Sequence, residues 1–135
     1  ITVSRHCRRL AVTASVDAMN YLKPLPLGHS VCVETYISGT GKKSVEVFCK
    51  VVGEDVLNGE RYLAATSFWT FVALPREGET DFTVDAIVPE TDEEKFICSG
   101  YEERRKARLE QLGRQEALME HITVVKPWNL EENES

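Results

Sequence analysis

None of the 135 residues belongs to an apolar run approaching the roughly 18–20 residues that a membrane-spanning helix needs. The opening stretch ITVSRHCRRL also lacks a long apolar segment between a basic end and a small-residue cleavage site, so no secretory signal is read there. Positive charge is not in surplus: 22 acidic against 16 basic residues leave a formal charge of −6. Phosphate-backbone binding depends on a dense basic footprint, so a nucleic-acid surface is not expected. Metal-ligand spacing is missing as well. Cys7, Cys32, Cys49 and Cys98 form no CxxC pair and His6, His29 and His121 are equally scattered, so no metal site is expected. Four cysteines in a chain without secretory features point instead to reduced, partly buried thiols and a cytoplasmic location. GTGKKS at 39–44 fits neither a phosphate-binding P-loop nor a dinucleotide fingerprint, and no nucleophile elbow accompanies His6. Repeats and low-complexity segments are absent.

What is present is one domain's worth of chain, with 42% hydrophobic and 28% charged residues. Residues 13–21 read as a strand running into a corner made by Pro24, Pro26 and Gly28. In the next strand Val31, Val33, Thr35 and Ile37 alternate with Cys32, Glu34 and Tyr36, the period of a half-buried strand. SGTGKKS reads as a hairpin connection with two glycines available for positive φ. Beyond it Val45, Val47, Cys49 and Val51 alternate with Glu46, Phe48 and Lys50. Asn58-Gly59 then signals a hairpin into a long aromatic strand closed by Pro75. Together these predict an antiparallel meander. Thr91-x-x-Glu94 is a capping box that opens a charged helix reaching about Glu116, with Tyr101, Arg105, Leu109 and Leu112 as a narrow apolar seam on a mostly solvated rod. Residues 121–135 read as an extension with a short strand and a polar tail, and residues 1–10 as the closing turns of a helix.

Four segments carry a family resemblance: RHCRRLAVTASVDAMNYLKPLPLGHSV, GTGKKSVEVFCKV, GERYLAATSFWTFVALPREG and VPETDEEK. With these the chain resembles the acyl-CoA thioesterases (acyl-CoA hydrolases) of the hotdog fold, over about residues 1–112. The resemblance implies an α+β hotdog fold, a curved antiparallel sheet around a central helix of which only the C-terminal end stands here, followed by a charged C-terminal helix. It assigns residues 1–120 to one thioesterase domain and 121–135 to a tail. It implies hydrolysis of fatty acyl-CoA to fatty acid and coenzyme A, no cofactor beyond the coenzyme A of the substrate, no membrane, and a homodimer assembled as a trimer of dimers. The family's catalytic aspartate lies in a Gly-Gly…Met-Asp pattern ahead of an Arg-His-Cys triplet. That triplet is Arg5-His6-Cys7 here, so the catalytic acid is expected upstream of Ile1 and none is assigned within the chain. The alternative is a non-catalytic acyl-CoA-binding hotdog module.

Thioester hydrolysis needs a carboxylate, donors for the developing oxyanion and a slot that excludes bulk water. Asp17 is expected to shape the site or an interface rather than act as the base. Asn20 either contacts a substrate carbonyl or satisfies a corner backbone group. Thr13 and Ser15 are candidates for hydrogen bonds to the pantetheine amides, with ordinary sheet positions as the alternative. Lys42, Lys43 and Ser44, on a loop of free amides, are the first candidates for the coenzyme A phosphates, and Arg5 with Arg8 and Arg9 the second. Phe68, Trp69 and Phe71 read as core first and acyl-pocket wall second.

Overall fold

The computed structural model describes residues 1–128. A short helix, α1 (Thr2–Cys7), leads into β1 (Ala11–Tyr21), β2 (Ser30–Thr40), β3 (Ser44–Asp55) and β4 (Glu60–Ala73), followed by α2 (Asp92–Ser99) and α3 (Tyr101–His121). The sheet is curved and fully antiparallel, in the order β1-β4-β3-β2. β2, β3 and β4 form the expected meander, but β1 pairs with β4 rather than with its sequence neighbour β2. The corner at 22–29 therefore crosses the whole sheet. Gly28 and Gly59 turn with φ of 91° and 77°, values an L side chain seldom adopts.

The two glycines of the β2–β3 connection have a different role from the expected one, because neither has positive φ. Gly39 lies in β2 where a Cβ would come within 2.0 Å of the Tyr101 ring, and a Cβ on Gly41 would come within 2.5 Å of the Ser44 hydroxyl. They are glycines for room, not for turning.

Alternation assigns the two faces. Ile37, Val47 and Trp69 share one side through their register, as do Thr35 with Cys49 and Val45 with Phe71. This inner face carries α1, and the core is Val3, Val45, Val47, Ala73 and Val84 with Cys7, Ala11, Phe71 and Phe82 packed against it. Burial pushes the Cys7 thiol pKa up. Helix α1 ends at Arg8, whose φ of 54° is the left-handed C-cap conformation. Its last carbonyls are taken by Arg76, which donates to Arg8 O (3.1 Å) and Cys7 O (3.3 Å). Arg9 forms a two-pronged pair with Glu79 and stacks 3.7 Å from the Phe82 ring centroid. The Arg9 guanidinium holds the Glu79 carboxyl below its usual range.

The outer face carries α2 at its β2 side. Thr91 accepts from the Glu94 amide (3.1 Å) while Glu94 accepts from the Thr91 amide (3.3 Å), so the expected capping box forms. From its first turn Glu93 accepts from Lys50 Nζ (3.0 Å) and from Tyr36 Oη (2.9 Å), and Lys50 also reaches Glu34 (3.2 Å). The Lys50 hydrogen bond, reinforced by that of Tyr36, lowers the Glu93 carboxyl, and Glu93 in turn raises Lys50. Lowered in the fold, Glu93 adds stability that is present above its unfolded pKa and lost as pH falls through the folded one. Raised Lys50 adds stability present below its unfolded pKa and lost as pH rises through the folded one. The Glu93 side chain is 49% exposed, so solvent screening limits the clamp to under about 1 kcal/mol. Lys50→Met is expected to cost less than about 1 kcal/mol at pH 7, and progressively less as pH falls through the lowered titration of Glu93, read by denaturant titration over a series of pH values.

The chain divides into a unit of residues 1–101 and a second from Glu102 on. The single helix expected from the Thr91 box is two, α2 closing at its C-cap Gly100 and α3 beginning at Tyr101, and α3 runs to His121, five residues beyond the expected end. Leu109, Leu112, Leu118 and Met119 are exposed along it, as on a solvated rod. The short strand expected in the extension does not form over 122–128, where no sheet edge pairs with the chain. The polar tail of that expectation, 129–135, lies outside the described residues. Among the described residues no helix is long and apolar enough to cross a membrane, and no group of His, Cys, Asp and Glu is placed to hold a metal.

Candidate active site

Between α1 and the inner face lies a cavity of about 330 Å³, at the small end of the range for ligand pockets. Its sheet side is built by the alternating residues of three strands: Val33 and Thr35 from β2, Val47 and Cys49 from β3, and Trp69 and Phe71 from β4, with Ala11 of β1 at one end. Ile1, Thr2, Val3 and Ser4 form the helical wall. The Trp69 and Phe71 rings lie nearly parallel, 13° apart with centroids 6.4 Å apart. Trp69 Nε1 donates to Ser67 Oγ (2.8 Å), so the indole is satisfied and presents hydrocarbon to the cavity. Thr2 and Thr35 share a 2.6 Å hydroxyl hydrogen bond. Both also line a second cleft of about 450 Å³, with Arg5, His6, Tyr36, Val88, Glu94 and Cys98. The threonine pair thus stands at the border between the apolar chamber and a cleft of mixed lining, which also includes Ile37, Ile87 and Pro89.

No carboxylate lines the 330 Å³ cavity. This chamber can take a hydrocarbon chain, and its hydroxyl groups can orient a polar head. It has no base of its own among the described residues.

The expected site residues fall into separate places. Thr13 sits opposite Phe71 and so shares the inner face with the cavity wall. Ser15 and Asp17 sit opposite Thr70 and Phe68, on the outer face, where Asp17 Oδ2 accepts from Ser15 Oγ (3.0 Å) and Thr70 Oγ1 (3.3 Å). Asn20 Nδ2 donates to the Ala18 carbonyl (3.0 Å), which satisfies a backbone group at the corner. Lys42 and Lys43 project from the β2–β3 connection, each near Asp81 (3.7 and 3.8 Å) and well exposed. Ser44 closes that connection through its carbonyl, which accepts from the Gly41 amide (2.8 Å). Arg5 lines the second cleft. His6 Nε2–H donates to Asp85 O (2.7 Å), which ties α1 to the segment after β4.

Of the aromatic set, Trp69 and Phe71 are walls, while Phe68 packs tilted against Phe48 on the other face. Sequence reasoning did not single out Thr35, Cys49, Val33 or Ala11 as cavity residues. The alternation of β2 and β3 already put the first three on one face, and only the position of α1 was needed to make that face a wall.

Comparison with known proteins gives a consistent picture. Residues 1–59 match the family model of the thioesterase superfamily. An uncharacterized acyl-CoA thioester hydrolase of Bacillus subtilis is 44% identical over 128 residues, which is 95% of this chain and 74% of that one. The structure of an acyl-CoA hydrolase from Staphylococcus aureus in complex with butyryl coenzyme A, coenzyme A and coenzyme A disulfide superposes with a TM-score of 0.81 at 31% identity, covering 88% of this chain and 72% of that one. An apo-hexameric acyl-CoA thioesterase superposes with a TM-score of 0.74 at 30% identity, covering 82% and 70%.

Proposed function

This chain belongs to the acyl-CoA thioester hydrolase family, and on that premise we propose that its 330 Å³ cavity holds the acyl chain of an acyl-CoA whose thioester the protein hydrolyses to free acid and coenzyme A. The observation that carries this reading is the apolar chamber built between α1 and the inner face, whose walls come from α1 and all four strands and whose hydroxyl groups lie at one border. Hydrocarbon burial supplies binding energy at about 0.8 kcal/mol per methylene. The same burial keeps bulk water from the thioester.

The chemistry also needs a carboxylate to activate water and donors for the oxyanion. We place the carboxylate on the helix of α1, ahead of Ile1, where the first amides of that helix also supply unpaired donors. Support comes from the acid-free lining of the cavity and from the position of Asp17 on the far face. Lys42, Lys43 and Ser44 are the proposed contacts for the coenzyme A phosphates, with Arg5 as a secondary one, and Thr13 for the pantetheine arm. The acid-free lining is also what favours the second reading, a non-catalytic acyl-CoA-binding module. Coenzyme A release measured on the complete encoded protein separates them: turnover supports the enzyme, and tight acyl-CoA binding without thiol release supports the module.

Homo-oligomerisation follows the same reasoning. β1 is an edge strand: one side of its backbone is left open to pairing in an isolated sheet, and Val12 (49%), Val16 (46%) and Met19 (44%) are exposed along it. We propose that two copies join along β1 as a dimer and that three dimers associate. Val16→Lys, which adds a charge at that edge, is expected to halve the mass of the dimeric unit in sedimentation. An unchanged mass would place the interface elsewhere.

A further inference from the structure

β1 is irregular in two places, and Asp17 stands between them. Thr13 faces Phe71 while Ser15 faces Thr70, so two steps along β1 match one along β4 and Ala14 is the extra residue. Asp17 faces Phe68 while Asn20 faces Thr66, which adds another extra residue, and Ala18 there has φ of 46°. A left-handed alanine costs about 1–2 kcal/mol, so something must hold this path. Without the first bulge, simple alternation would put Thr13, Ser15 and Asp17 on one face. With it, Thr13 shares the inner face with Phe71, a wall of the cavity, and Ser15 and Asp17 share the outer face with Thr70 and Phe68.

The groups available to fix that path are few. Within one copy β1 is hydrogen-bonded on one side only, and a slip of one residue would turn every side chain to the other face. Over 15–17 the Asp17 side chain ties the strand to its neighbour. One of its oxygens takes the Ser15 hydroxyl of its own strand and the Thr70 hydroxyl of β4. Thr70 is itself buried, and it faces buried Glu46 on β3, whose carboxylate accepts from Ser38 Oγ of β2 at 2.7 Å. A row of polar side chains thus crosses the outer face from β2 to β1 and ends on Asp17.

We infer that Asp17 is a positioning residue: from the outer face it locks the register of β1 between its two bulges and so keeps Thr13 on the inner face of the sheet, the face that carries the cavity. The inference rests on the proposed acyl-CoA hydrolysis and on Thr13 as a substrate contact. It assigns Asp17 no proton transfer, since its carboxylate stands on the opposite side of the sheet from the cavity. The amide oxygen of asparagine can accept the same two hydrogen bonds, whereas alanine can accept neither.

The test is a cycle of kcat/KM for acyl-CoA hydrolysis on the complete encoded protein with Asp17→Ala, Asp17→Asn, Thr13→Val and the Asp17→Ala/Thr13→Val double variant. Misplacement of a substrate contact by about 1 Å costs up to about 100-fold. Asp17→Ala is expected to lose about 10- to 100-fold, Asp17→Asn to stay within about 3-fold, and Asp17→Ala to add less than about 2-fold once Thr13 is valine. Hydrogen exchange provides an arm independent of turnover. The amides of 13–18 should exchange faster in Asp17→Ala and at the wild-type rate in Asp17→Asn. Equal damage from alanine and asparagine would show that the charge itself matters. Losses that multiply in the double variant, a change in oligomer mass with Asp17→Ala, or unaltered exchange would each overturn the inference. A wild type that hydrolyses no acyl-CoA counts against the proposed function, and the exchange arm still decides the register claim.

Discussion

Gly39→Ala is expected to lower the melting temperature by about 10 °C, the largest effect on stability from a single added carbon in this sheet. A Cβ built on Gly39 stands 2.0, 2.3 and 2.5 Å from three carbons of the Tyr101 ring, far inside van der Waals contact. The ring has little room to retreat, since Tyr101 is only 8% exposed. Overpacking of this kind costs about 1–3 kcal/mol, and in a unit of about 100 residues each kcal/mol moves the midpoint by about 4–8 °C. The Tyr101 hydroxyl makes no hydrogen bond among the described residues, so the ring is what matters: Tyr101→Phe should leave the midpoint nearly unchanged. The cycle with Tyr101→Ala is the decisive control. Relief of most of the Gly39→Ala penalty in that background is the expected coupling, and additive losses would mean that the clash is not the cause.

Val33→Trp is expected to have the largest effect on activity, and to have it selectively. Val33 lines the cavity but sits on the edge strand β2 and is 60% exposed, so a larger side chain there enters the chamber without forcing apart the buried core. An indole displaces several methylenes of bound acyl chain. At about 0.8 kcal/mol each, excluding four of them removes about 3 kcal/mol, or about 100-fold in kcat/KM. Long-chain substrates should carry that loss while the shortest acyl-CoAs keep theirs within about 3-fold. A uniform loss across chain lengths would place the acyl chain outside this cavity.

How much of this was legible beforehand depended on whether the signal was local. The alternation of β2 and β3 was readable because one face of each strand is apolar, and the observed register puts Val45, Val47, Cys49 and Val51 on the face that the pattern gave them. The Thr91 capping box was readable because its hydrogen bonds span three residues. The pairing of β1 with β4 was not, since nothing in residues 11–21 names a partner more than 40 positions away. The bulge at Ala14 was equally silent, and it puts Thr13 and Ser15, which sequence reasoning had paired as contacts for one pantetheine arm, on opposite faces. Gly39 looked like a turn glycine because its real constraint, the Tyr101 ring, arrives from a distant helix. Arg9, Arg76 and Phe82 form a cluster that ties the C-terminal end of α1 to the segment after β4, although only Arg9 drew notice as a charge.

The most direct test of the central claim is free thiol released from acyl-CoAs of graded chain length by the complete encoded protein, with fatty acid counted in parallel. The account predicts equal amounts of thiol and acid at every chain length accepted, and a steep loss for the longer chains in Val33→Trp. Saturable acyl-CoA binding with no thiol released at any length would contradict it and leave a binding module in its place.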